Sequence, residues 1–214
     1  TQLRKALRKD IWDITVVDQE ETHYYQPGFL FLPFDTYRPS QLKRMIEEFI
    51  PKGVNLVREK IDRVDNDSDK VLLQNGKEIP YDILIIATGC NIAPQEIDGM
   101  EGDHWYNSVF DFYTFEGAKN LRNKLRTWEG GKLVVHISEM PIKCPVAPLE
   151  FAFLSDAFFT KKQMRDKVDI TFVTPMSGAF TKPVATKELN YLLEEKNIKI
   201  VPDFNIEKVE AQNN

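Results

Sequence analysis

The stretch Val134–Glu150, reading VVHISEMPIKCPVAPLE, constrains the fold of this chain more than any other. Lys132–His136 reads as a short buried strand, and Ala147–Met164 reads as the helix that follows it. A dinucleotide-binding unit places a glycine-rich turn at such a strand-to-helix step, because the backbone there must approach a pyrophosphate closely. No glycine lies between Gly131 and Gly178, and Pro141, Cys144, Pro145 and Pro148 occupy the turn instead. Proline fixes φ and removes a backbone donor. A turn built this way cannot cradle a pyrophosphate in the usual manner, but it can hold one thiol rigidly. The implication is a redox protein whose electron donor is not NAD(P)H.

Composition narrows the field further. With 214 residues, 42% hydrophobic and 29% charged, the chain is long enough for one large domain or two small ones around a sizeable core. A net charge of -5 argues against a nucleic-acid surface and supplies no long basic face for anionic lipid. Two cysteines, Cys90 and Cys144, are too few for a disulfide framework and fit a reducing compartment or a redox role. No apolar run reaches the roughly 18 residues of a membrane span, and no signal-peptide pattern opens the chain. His23, His104 and His136 are scattered without the spacing of a metal cage, so no metal is expected.

The chain reads as cut at both ends. Thr1–Lys9 has the apolar spacing of the last turns of a helix, with no cap before it. Ile11–Val17 then reads as a strand ending at Asp18. A helix leading into a strand that ends in an acid is the second half of a nucleotide-binding βαβ unit, where the acid binds the ribose of an adenosine. Taken alone, Asp18 reads equally well as a solvated carboxylate. An aromatic loop, HYYQPGFLFLPFDTY, follows at His23–Tyr37, and reads either as part of an apolar site or as a lid over a cofactor. Ser40 is expected to cap a helix, QLKRMIEEFI, that Pro51 ends. Strands are expected within Val54–Val64, at Lys70–Leu73 and at Glu78–Ile79, with a turn at Asn75-Gly76. Ile83–Ala87, in YDILIIATG, is expected as a fully apolar strand, and Asp111–Trp128 as an amphipathic helix. After Gly130-Gly131 come strands at Leu133–His136, Val168–Val173 and Ile198–Val201, a helix at Lys187–Glu195, and the start of another strand at Phe204–Val209.

The combination of VVDQEE, YDILIIATG and KCPVAPLE resembles the sulfide:quinone oxidoreductases and their flavocytochrome c sulfide dehydrogenase relatives, in order and over almost the whole chain. The ATG segment belongs to the wider disulfide-oxidoreductase-like flavoproteins, whereas KCPVAP is the more specific element. The resemblance implies an α/β fold of two Rossmann-like units of the FAD/NAD(P)-binding type, incomplete at both ends. It divides into a partial FAD-binding domain, 1–130, and a partial second unit, 131–214, that carries the redox cysteine. It further implies FAD as cofactor, oxidation of sulfide to sulfane sulfur or polysulfide, and transfer of electrons to a membrane quinone. Peripheral attachment to a membrane on the cytoplasmic side, and a homo-oligomer, are compatible with it.

Carried onto this sequence, Asp18 takes the place of the ribose-binding acid. Thr88 and Gly89 match the turn that packs against FAD, where a small residue lets the backbone come close. Tyr25–Gly28 matches the loop that passes near the isoalloxazine. Gln26 and Pro27 stand where some relatives attach the flavin through a cysteine, so no covalent link is expected there. Cys144 matches the sulfur-handling cysteine; on the residues alone it reads equally as a buried structural thiol. The chemistry requires a covalent partner for the sulfide sulfur while two electrons leave, and a thiolate provides one. Lys143, beside it in sequence, is expected to favour that thiolate, as is the N-terminus of the following helix.

Two departures qualify the match. The mechanism of the family uses a pair of cysteines, and the usual partner falls in a C-terminal part beyond Asn214. Phe110, in SVFDFY, stands where some relatives carry a further cysteine. Cys90 follows the ATG turn and reads either as a second thiol near the cofactor or as packing. Glu150 reads either as a proton acceptor or as a carboxylate favoured by the start of a helix. Two rival functions stand beside the first. One is an NADH-linked flavoprotein similar to a type II NADH:quinone oxidoreductase, against which the glycine-free turn counts. The other is a non-catalytic α/β scaffold that has lost FAD.

Overall fold

Short apolar runs between turn signals recur in the first ninety residues, and in the computed structural model, which describes residues 1–210, several of them pair into small sheets. Two compact units arise. The first comprises Thr1–Tyr25 and Ser40–Asn91; the second comprises Gln26–Pro39 and the described chain from Ile92 on. These limits divide the chain at other points than a boundary at Gly130-Gly131.

In chain order the first unit carries α1 (Gln2–Ala6), β1 (Thr15–Asp18), β2 (Thr22–Tyr24), β3 (Lys43–Met45), β4 (Asn55–Arg58), β5 (Ile61–Asp65), β6 (Lys70–Leu73) and β7 (Glu78–Pro80). β1 runs parallel to β4, with Asp18 opposite Arg58. β5, β6 and β7 form an antiparallel meander. Its tight turn falls at Asn75-Gly76, where Gly76 takes φ 84° and its N–H donates to the Leu73 carbonyl at 2.9 Å. Arg4 is buried, and its guanidinium satisfies the carbonyls of Leu7 and Trp12 at 2.7 and 3.1 Å.

Three expectations are corrected here. The helix expected after Ser40 does not form: a 3-10 turn at Pro39–Leu42 leads into β3 and a second 3-10 turn at Ile46–Phe49. Pairing with β2, Thr22 opposite Met45 and Tyr24 opposite Lys43, engages the backbone that a helical ladder would need. Residues 83–87 form no strand, and Ile83, Ile85 and Ile86 are 67%, 65% and 70% exposed. A strand exists only through its ladder, and among the described residues no strand pairs with this segment. Phe204–Val209 yields only an isolated bridge between Asp98 and Lys208.

The second unit carries α2 (Phe115–Thr127), β8 (Gly131–His136), α3 (Ala147–Lys161), β9 (Val168–Val173), α4 (Pro183–Glu195) and β10 (Lys199–Val201). Its sheet is parallel throughout in the order β10-β9-β8, each crossover being a helix, as a Rossmann-like half requires. Leu133, Val135, Ile170 and Phe172 join a core with Leu149, Phe151 and Phe159 of α3. The abundance of phenylalanine is explained at this point. Phe112 stacks on Phe151 with ring centroids 4.6 Å apart, and Phe34 packs against Phe151 and Phe158 at 4.9 and 5.5 Å. Leu32 is wholly buried and Phe29 nearly so. Phe29, Leu32 and Phe34 of the aromatic loop are thereby anchored in the core of this unit.

The start of α2 is tightly specified. Thr114 caps it, its hydroxyl accepting from the N–H of Gly117 at 2.9 Å. Asp111 accepts from the N–H groups of Tyr113 and Thr114 and from the hydroxyls of Tyr106 and Thr114, at 2.7–3.1 Å. A Cβ on Gly117 would collide with that carboxylate. Helix propensity alone gives Gly117→Ala a gain of about 1 kcal/mol. The geometry reverses the sign, because Asp111 must leave its partners to make room. Gly117→Ala is expected to lower stability by about 1–3 kcal/mol, the cost of unsatisfying such bonds; urea unfolding measures it.

Candidate functional site

Cys144 lies in the connection between β8 and α3, at the carboxyl edge of the parallel sheet, which is where ligands of open α/β sheets bind. Its side chain is exposed, which removes the reading of a buried structural thiol. The residue takes φ 52°, a left-handed conformation that a non-glycine residue adopts only when its surroundings hold it there. Its carbonyl accepts from the N–H of Ala147 at 3.0 Å and from the hydroxyl of Tyr113 at 3.3 Å. Burial pushes the Tyr113 phenol up from its ordinary value, and the negative charge of Cys144 in its thiolate form adds to the rise. The phenol thus stays protonated and remains a donor.

Lys143 is differently engaged from what its sequence position suggests. Its ammonium donates to Gln26 Oε1 at 2.6 Å, tying the cysteine turn to the 3-10 turn Gln26–Phe29. Gln26 and Pro27 are exposed, while Gly28 and Phe29 are buried. The fold therefore brings Gln26 and the Cys144 turn together, although they are 117 residues apart from Gln26 to Lys143. Glu150 sits exposed in the first turn of α3, the position a helix dipole favours for an acid. His136 ends β8 half-buried, packed edge-on against Phe204; burial lowers its pKa, and its Nε2 has no hydrogen-bond partner. It is a neutral core imidazole, though an unsatisfied one.

Tyr113 is the contact that reading the sequence missed. The available signal was the Asp111–Thr114–Gly117 pattern, which fixes a helix start directly after an aromatic pair. Nothing local in the sequence shows that this start faces a cysteine 31 residues later.

The other expected residues belong to the first unit. Asp18 ends β1 half-exposed, its Oδ1 accepting from the N–H of Glu20 at 2.9 Å. Arg58, its partner across the ladder, is taken up by Glu21 and Glu47 at 2.7 and 2.5 Å. Thr88, Gly89 and Cys90 are all exposed. Gly89 takes φ 73°, and an added Cβ there would meet nothing within 4 Å, so the backbone is open to close approach. The pyrophosphate cradle is not among the residues of this chain, which contains no GxGxxG. Among the described residues no group of three or more His, Cys, Asp or Glu can hold a metal ion, and no helix is long and apolar enough to cross a membrane. A concavity lined by Lys132, Asp169, Asn190 and Glu194 opens at the amino ends of β8 and β9, the edge opposite Cys144.

No protein-family profile matches the chain. It is 29% identical to the sulfide-quinone reductase of Aquifex aeolicus over 204 residues, covering 92% of this chain and 46% of that protein. It is 25% identical to the mitochondrial sulfide:quinone oxidoreductase of Dictyostelium discoideum over 191 residues, covering 89% of this chain and 42% of that protein. A type II NADH:quinone oxidoreductase of Staphylococcus aureus is 25% identical over 133 residues, covering 62% of this chain and 33% of that protein. The chain thus spans less than half the length of these relatives. The crystal structure of the Aquifex aeolicus sulfide:quinone oxidoreductase superposes with a TM-score of 0.78 at 22% identity, covering 97% of this chain and 48% of that one. The fold is that of the FAD/NAD(P)-binding Rossmann-type oxidoreductases. By sequence and fold together, this chain resembles the sulfide:quinone oxidoreductases over about nine-tenths of its length.

Proposed function

We propose that the chain carries the sulfur-handling thiol of an FAD-dependent enzyme that oxidises sulfide to sulfane sulfur and delivers the electrons to a membrane quinone. The observation that carries the reading is Cys144: an exposed thiol, held in a left-handed turn, at the carboxyl edge of a parallel sheet where a nicotinamide enzyme needs glycines. The Cys144 thiolate and hydrosulfide join through a new S–S bond. One proton and two electrons are released as the persulfide anion forms. FAD, when bound, supplies the two-electron acceptor that passes these electrons on to the quinone. Glu150, exposed on the first turn of α3, is the candidate acceptor for the proton. Asp18 is the candidate for the ribose of the cofactor, and Thr88 and Gly89 for the turn that packs against it. Quinone reduction implies peripheral association with a membrane.

The test is anaerobic flavin absorbance of the full-length protein, mixed separately with sulfide and with NADH. Bleaching by sulfide alone, reversed by a quinone, is the expected result. Bleaching by NADH would favour the type II NADH:quinone oxidoreductase reading, which the Staphylococcus aureus relative keeps in view. Residues 1–214 alone are expected to bind FAD weakly or not at all, since the chain lacks the pyrophosphate turn. Stoichiometric yellow flavin retained through purification of this segment would overturn that expectation.

A further inference from the structure

We infer that Tyr113 is the positioning residue for the Cys144 thiol, acting through the phenol–carbonyl hydrogen bond that holds Cys144 in its left-handed turn. The inference rests on the reading of Cys144 as the sulfur-handling thiol. A left-handed backbone suits glycine, but glycine brings no sulfur, so this turn must be held by its surroundings. Two donors converge on the Cys144 carbonyl, the N–H of Ala147 at 3.0 Å and the Tyr113 hydroxyl at 3.3 Å. The first is local to the turn and follows wherever the turn goes. The second comes from another element and fixes the turn in space.

Tyr113 is itself immobilised. Asp111 accepts from its N–H at 2.9 Å and from that of Thr114 at 2.7 Å, so its backbone is locked at the start of α2. Its ring stacks on Phe112 with centroids 5.1 Å apart, and Phe112 stacks on Phe151 of α3 at 4.6 Å. The helix that begins three residues after Cys144 is therefore clamped, through two rings, to the residue that holds the Cys144 carbonyl. The phenol is kept protonated by burial, so the restraint does not switch off within the working pH range. A reacting atom displaced by about 1 Å can lose about 10²-fold in rate, which makes such a restraint functional and not merely structural.

The experiment is Tyr113→Phe in the full-length flavoprotein, which removes one hydroxyl and keeps the stacked ring. Three quantities are read: the limiting rate and half-saturating sulfide concentration of flavin bleaching, the iodoacetamide alkylation rate of Cys144 by mass spectrometry of its peptide, and FAD content with Tm. The limiting rate should fall about tenfold with half-saturation unchanged, and alkylation should change by about threefold or more, while FAD content holds. A second variant, Asp111→Asn, keeps the phenol but loosens its anchor and should move both readings the same way by less. A limiting rate equal to wild type overturns the inference, whatever happens to Tm. If the wild-type protein is not bleached by sulfide, the functional reading fails instead. Alkylation then decides the positioning alone: a changed rate supports it, and an unchanged rate overturns it.

Discussion

Cys144→Ser in the full-length flavoprotein should reduce sulfide-driven flavin bleaching by about 10³-fold or more, the scale of loss when a covalent nucleophile is removed. FAD content should stay near wild type. The serine hydroxyl fits the same exposed position and leaves the carbonyl of residue 144, with its Tyr113 and Ala147 donors, intact. What disappears is the atom proposed to bond to the sulfide sulfur. An alkoxide is inaccessible at neutral pH, whereas a thiolate is not. Stopped-flow absorbance with sulfide checks the rate, and the flavin-to-protein ratio checks the binding. Equal bleaching in the mutant would remove Cys144 from the mechanism. Cys90→Ser, made in parallel, tests the other exposed thiol, and retained bleaching there would remove Cys90.

Asp156→Ala should be the most destabilising substitution outside the apolar core. Asp156 sits on α3 with its side chain 11% exposed, and accepts from Arg165 Nε at 2.8 Å and Lys196 Nζ at 2.9 Å. Arg165 also donates to the carbonyls of Val168, Lys196 and Asn197 at 2.7–3.0 Å, so one carboxylate organises the start of β9 and the end of α4. Removing it leaves a largely buried guanidinium without its counter-charge, at a cost of about 3 kcal/mol. For a chain of this size that is a drop in Tm of about 6–12 °C. Burial by itself would raise the Asp156 pKa. The hydrogen bonds and charges of Arg165 and Lys196 outweigh it and hold the value below the ordinary one. A depressed carboxylate contributes stability that is complete above its unfolded pKa, near 4, and is lost as pH falls through the lower folded value. Wild type should therefore lose this contribution in acid below about pH 4, and Asp156→Ala should show no such step there. Denaturation followed at neutral and at acid pH measures both effects.

Much of the second unit was legible. Val168–Val173 and Leu133–His136 are bounded apolar runs and both form strands; burial agrees with the pattern at Val168–Val173, while Val134 is 58% exposed on the other. The missing glycines between Gly131 and Gly178 were equally plain, and with them the distinction between a pyrophosphate turn and a thiol turn. Disagreement appeared where a segment's own pattern is outweighed by its partners. Leu42, Ile46 and Phe49 have helical spacing, yet pairing of Lys43–Met45 with Thr22–Tyr24 uses the backbone first. Ile83, Ile85 and Ile86 read as a buried strand, yet burial requires a neighbour, and sequence pattern cannot supply one. Lys143 illustrates the same limit for a side chain. Adjacency suggested that it serves Cys144, while the fold gives its ammonium to Gln26.

The sequence by itself determined that this chain is α/β, that its second strand-to-helix turn presents a cysteine among prolines, and that no glycine-rich cradle accompanies it. Those properties are written in periodicity and residue type, which act over a few positions. Only the tertiary structure decided that Cys144 is exposed and left-handed, that the Tyr113 hydroxyl donates to its carbonyl, and that Phe29, Leu32 and Phe34 of the aromatic loop anchor in the core. Each of these depends on which distant groups meet, and the free energy of such meetings comes from burial and from satisfied polar groups that no local window contains.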